Sequence, residues 1–216
     1  TISNNFTIIK SNFVNIKEEL NERGITKVDG IIFDLGVSSF QFDIPERGFS
    51  YRFDSPLDMR MNKENDFCAY DIVNSYSQEE LSKIFFEYGE EKLSKVIVNK
   101  IIEYRKSKEI TRTLELVEII KSAVGANYFF KNHPERKIFQ AIRITVNNEL
   151  EVLKKALPDA IELLKSGGRM SVISFHSLED RIVKNIFKEY SEIDPLVKGL
   201  PEIPLEYQAK IKIVNK

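Results

Sequence analysis

Tryptophan is absent, cysteine occurs once and histidine twice in these 216 residues. A single cysteine, Cys68, excludes an internal disulfide and points to a reducing, cytoplasmic setting. Its plain reading is a small apolar filler. Two histidines and one cysteine are too few for a zinc cluster, so no metal is expected. Charge of one sign is missing too: 32 Lys and Arg stand against 33 Asp and Glu, a formal net charge of −1. Bulk electrostatics therefore announces no polyanionic partner, and any RNA contact must be a local patch. No apolar run approaches the ~18 residues of a membrane span, and no signal-peptide pattern opens the chain. Nucleophile-elbow, P-loop and G-x-G-x-x-G signatures are lacking as well. What remains is 42% hydrophobic, ample for a core in one large domain or a domain plus an insert.

The most informative stretch is residues 31–61. Ile31, Ile32 and Phe33 make a β-branched and aromatic run that reads as a buried strand, with Asp34 at its carboxyl end. Gly36, Ser38 and Ser39 then break the pattern. The long loop that follows holds the acids Asp43, Glu46, Asp54 and Asp58, the arginines Arg47, Arg52 and Arg60, and the aromatics Phe42, Phe49, Tyr51 and Phe53. A loop that long is usually functional or disordered, and its aromatic content argues against disorder. Ligands of open α/β sheets sit outside the carboxyl ends of the strands, which makes this an active-site candidate.

The chain reads as α/β, then helical, then α/β again. Phe6–Ile9 and Val28–Asp34 are expected strands, with a helix over Val14–Arg23 stopped at Gly24. Ser77 and Glu80 have capping-box spacing before a helix carrying Leu81, Ile84, Phe85 and Tyr88. A second helix runs from Leu93 to about Tyr104, and Thr113 is an expected cap for a third. Leu150, Leu153, Leu157, Ile161 and Leu164 recur at helical spacing, with Pro158 a kink or restart. Gly167 and Gly168 turn the chain into a strand over Met170–Phe175. Ser177 and Asp180 then resemble a capping pair, and Ile211–Val214 reads as a short last strand. Strands alternating with helices imply a mainly parallel sheet.

A second strand end places His176 at the same sheet edge as Asp34; the competing reading is a histidine that caps the following helix. His133, between helices, reads as a solvated loop residue. Arg136, Arg143 and Asn147 follow it, Arg143 and Asn147 near one helical face. Arginines and an amide beside a catalytic loop suit a phosphate or a base edge. Internal salt bridges to Glu135 or Glu149 are the alternative.

Three ordered blocks now make the chain recognisable: FDLGVSSFQFDIPERGFSYRFDSPLDMRM, RKIFQAIRITVNNELEVLKKAL and GGRMSVISFHSLEDRIVKNIF. In order and spacing they resemble the MraW/RsmH family of bacterial rRNA methyltransferases, over nearly all of the chain from Phe6 to Tyr190. The resemblance implies S-adenosylmethionine as cofactor and methyl transfer to the exocyclic amine of a cytidine in small-subunit rRNA, within an assembled or nearly assembled subunit. It implies a Rossmann-like class I methyltransferase sheet, incomplete here, from residues 1–42 and 139–216. Residues 43–138 would be an inserted helical substrate-recognition domain. Cofactor contacts transfer to Phe13, Asp34 and Gln41. Asp34, Ser38 and Ser39 are the acceptors expected to serve the chemistry, and Arg47, Arg136, Arg143, Asn147 and His176 the substrate contacts.

The family's glycine-rich cofactor motif and its ribose-binding acid belong before Thr1, and a terminal basic segment belongs after Lys216. The chain is therefore expected to be part of a longer protein. DLGVSS is not the D/N-P-P-Y motif of many amino-methyltransferases, which leaves the proton acceptor open. Two alternatives stand beside the enzyme: a non-catalytic RNA- or ribosome-binding relative, and an amino-methyltransferase acting on another nucleic acid.

Overall fold

The computed structural model describes residues 6–193, 197, 199–204 and 207–214. In chain order its elements are α1 (Ile16–Asn21), β1 (Val28–Asp34), α2 (Ser39–Asp43), α3 (Ala69–Ser75), α4 (Gln78–Glu87) and α5 (Ser94–Arg105). There follow α6 (Thr113–Val124), α7 (Ala126–Asn132), α8 (Pro134–Asn147), α9 (Glu149–Leu163), β2 (Leu164–Ile173) and α10 (Ser177–Ser191). The chain forms two compact units, Thr1–Gly36 with Leu150–Lys216, and Val37–Glu149.

In the first unit β1 and β2 pair in parallel, in register from Ile31↔Met170 to Asp34↔Ile173. Parallel neighbours need a crossover, and here the whole second unit plus α9 lies between them in sequence. Side chains alternate along a strand, so Phe33 and Leu35 turn inward, where they pack with Leu153, Ala156, Leu157 and Ala160 of α9. The two alanines let the helix lie close to the sheet. Ile16 of α1 and Ile182, Val183, Ile186 and Phe187 of α10 complete this core. The strand is buried on this face only, not enclosed as expected: on the other face Ile32 is 76% exposed. Pro158 does not restart the helix: α9 continues through it. The lost backbone bond costs about 3 kcal/mol, and burying Leu153, Ala156, Leu157 and Ala160 to within 1% of full burial exceeds that cost.

The expected strand at Phe6–Ile9 does not form: none of its residues joins a ladder, and Ile8 is 83% exposed. Strand residues stay extended coil when no neighbour offers a hydrogen-bonding edge. Ile211–Val214 is not a strand either; the chain there is held by Lys210 and Ile211 N–H groups donating to the Tyr190 carbonyl. β2 begins at Leu164, earlier than expected, because Gly167 (φ 81°) lets the strand bulge rather than end.

The second unit is helical around one core, with Met59, Ile72, Leu81, Phe85, Ile101, Leu116, Ile120, Ile138 and Ile142 fully buried. The Ser77/Glu80 capping box is present: Glu80 N–H donates to Ser77 Oγ and Ser77 N–H to Glu80 Oε2. Thr113 is not a cap. It is the first residue of α6, and its hydroxyl accepts from Ser55 N–H and donates to the Phe53 carbonyl, tying the long loop to the helix. That loop is less irregular than expected, since it contains α2 and a 3-10 turn at Pro45–Arg47. Gly48 explains its compactness: φ is 69°, and a Cβ there would lie 2.3 Å from the Pro56 carbonyl oxygen.

Candidate active site

The β1 end carries the acid. Asp34 is exposed, and among the described residues its carboxylate makes no hydrogen bond or ion pair. The ladder runs one bond further, from Leu35 N–H to the Ile173 carbonyl at 3.1 Å, which fixes the backbone on which Asp34 sits. Phe13, 39% exposed, stands edge-on to Phe33, its ring centroid 5.6 Å away and its plane at 77°. An aromatic ring thus lies partly open beside the residue preceding the free carboxylate.

The β2 end carries His176, which is the N-cap of α10 in place of the expected Ser177. Its Nδ1 accepts from Glu179 N–H at 3.5 Å, which leaves the proton on Nε2. Nε2 lies 3.3 Å from Glu179 Oε1, and the imidazole is 9% exposed. Glu179 Oε2 accepts from Phe175 N–H at 2.9 Å. Glu179 is 3% exposed and is a residue the sequence reading missed. Its signal was available: H-S-L-E has capping-box spacing with histidine in the serine place.

In the second unit Ser38 precedes α2, and Gln41 Oε1 accepts from Ser38 N–H at 2.9 Å. The Gln41 amide nitrogen keeps its donors unpaired among the described residues, and Ser38 and Ser39 are both exposed. The remaining candidates part company. Arg47 Nη2 donates to the Arg60 and Met61 carbonyls, and its guanidinium stacks 5.6 Å from the Phe49 centroid. Its Nε is buried without a partner. Asn147 accepts from Met61 N–H and donates to the Met59 carbonyl, on the same short stretch. Arg143 makes a bidentate pair with Glu149 at 2.9 and 3.0 Å, the two side chains 14% and 9% exposed. Arg136 is exposed, with no side-chain partner among the described residues.

A family model described as the MraW methylase family matches residues 1–216. The chain belongs to the MraW methylase family. Methylases of this kind draw their methyl group from S-adenosylmethionine, and the chain offers features that fit such a molecule: the half-open Phe13 ring for a purine, and the unpaired Asp34 carboxylate for a sulfonium cation. The mixed α/β unit, with parallel strands crossed by helices, accords with part of a Rossmann-like methyltransferase sheet. No helix among the described residues is long and apolar enough to cross a membrane.

Proposed function

We propose that this chain belongs to an enzyme that methylates the exocyclic amine of a cytidine in bacterial small-subunit rRNA, with the subunit assembled or nearly so. The observation that carries the reading is the unpaired Asp34 carboxylate at the β1 carboxyl end of a methylase-family chain. A cytosine amine is a weak nucleophile because its lone pair is delocalised into the ring. An acceptor that draws one amine hydrogen out of the ring plane frees that lone pair for attack. Asp34 has the oxygen atoms for this, with the exposed Ser38 and Ser39 hydroxyls as further acceptors. S-adenosylmethionine supplies the electrophilic methyl when bound. Phe13 would pack against its adenine, Gln41 would offer amide donors, and Asp34 would take the proton released as the amine exchanges hydrogen for methyl.

The helical unit is the substrate-facing part in this reading, with Arg136 the freest of the proposed RNA contacts; Arg47, Arg143, Asn147 and His176 act through the surfaces they hold in place. The test is methyl transfer by the whole protein to free rRNA, assembled small subunits and duplex DNA. Label at a cytidine amine of rRNA supports the reading, and label confined to DNA overturns it. Asp34→Ala should lower turnover on the order of 100-fold. Unchanged turnover removes Asp34 from the site.

A further inference from the structure

Between residues 121 and 137 charges are sorted by direction. The one acid, Glu135, is 5% exposed and turned toward His133, whose Nδ1 lies 3.2 Å from its Oε1. Lys137 is drawn to the fully buried Glu91 at 3.0 Å. Lys131 and Arg136 are exposed, and among the described residues neither side chain has a hydrogen bond or an ion pair. Lys121 lies 3.9 Å from the outlying Glu118, and its ammonium sits 5.7 Å from the Phe130 ring centroid. Phe130 itself is 64% exposed and is braced from below by the buried Phe129, edge-on at 5.5 Å. The last turn of α7 and the first of α8 therefore present cations and one aromatic ring outward, on a chain whose net charge is −1.

We propose that this α6–α7–α8 corner docks an unpaired strand of the RNA substrate, Lys131 and Arg136 holding phosphates and Phe130 stacking a base. The proposal rests on the rRNA reading above. The two unpaired cations call for an anionic partner, and the exposed, cation-flanked Phe130 for a flat face to stack on. Phosphate alternating with a base satisfies both. His133 adds a half-exposed imidazole to the same corner, 47% accessible.

The experiment measures anisotropy of a labelled single-stranded fragment of small-subunit rRNA with the whole protein, over a salt series. The double variant Lys131→Ala/Arg136→Ala should flatten the plot of log affinity against log salt by about 1.4, the value for two single-strand phosphate contacts. Phe130→Ala should weaken binding about tenfold without changing the slope, and Phe130→Tyr should restore it. Unchanged affinity and slope in variants that melt as wild type overturn the proposal. So does a loss of binding that only tracks a lowered melting temperature. Vesicles containing phosphatidylserine serve as the other polyanion; retention on them without RNA binding also overturns it. Wild-type methylation of rRNA combined with unaffected variants faults this corner alone. Absence of any RNA methylation or binding by the wild type faults the functional reading and the corner together.

Discussion

The Asn147 side chain clasps Met61 by its backbone, accepting from its N–H at 2.7 Å, while the same amide donates to the Met59 and Arg143 carbonyls at 2.8 and 2.9 Å. Arg47 grips the same stretch through the Arg60 and Met61 carbonyls. Asn147 thus fastens the long loop to α8, and Arg47 ties the loop to itself. Asn147→Ala leaves these backbone groups without their partner and should cost about 1–3 kcal/mol in urea unfolding. Asn147→Asp keeps only the Met61 bond and should fall between. Wild-type stability in both variants would show that the clasp contributes nothing to the fold.

Arg143 and Glu149 form a pair that is both bidentate and mostly buried. Removing either partner strands a charge in a site with little water, so the single changes should be harsh and the double change milder than their sum. A double-mutant cycle with Arg143→Met and Glu149→Gln should give a coupling of about 1–3 kcal/mol. Additive losses would mean the pair is incidental.

Glu91 lies fully buried and accepts from Tyr128 OH at 2.6 Å, Leu93 N–H at 2.9 Å and Lys137 Nζ at 3.0 Å. Burial alone would raise its pKa; the Tyr128, Leu93 and Lys137 bonds outweigh burial and hold it below the ordinary 4.5. A depressed acid stabilises the fold fully above its unfolded pKa, and that contribution is lost as pH falls from about 4.5 through the lower folded value. Tyr128→Phe should therefore move the acid-unfolding midpoint upward, as followed by circular dichroism. Tyr128's own hydroxyl is pushed up to about 12 by burial and by its bond to Glu91. Its contribution is intact below pH 10 and lost as pH climbs through about 12.

Cys68 occupies the cap position of α3, its N–H donating to Asp71 at 2.7 Å. Burial, and then Asp71, push its thiol above the ordinary value, so the thiolate is scarcer than in a free cysteine. Alkylation by iodoacetamide at neutral pH should be slower than that of glutathione, and Asp71→Asn should speed it. A faster native reaction would contradict this environment.

Much of the framework was legible in the sequence. Val28–Asp34, the Ser77/Glu80 box and the helices around Leu81 and Leu116 follow from local period and caps, and all formed where expected. Phe6–Ile9 failed because a strand depends on a neighbour that local sequence does not specify. Thr113 was misread for the opposite reason: a hydroxyl carries no mark of whether its partner is its own helix terminus or a distant backbone group. α3 and α7 went unread because each spans only seven residues, too few for a period to emerge. Asp34 was legible because a strand end fixes its place without reference to any partner.

The order of the elements also constrains how the chain folds. β1 and β2 touch, yet Asp29 and Lys165 on them are separated by 136 positions along the backbone. Closing so wide a span as flexible chain is entropically costly and slow. The helical unit has its own core and local contacts, so it can organise without the sheet. Condensed first, it shortens the search for the two strands. Helical signal should therefore return early in refolding, and the parallel pairing that positions Asp34 should be among the last contacts made.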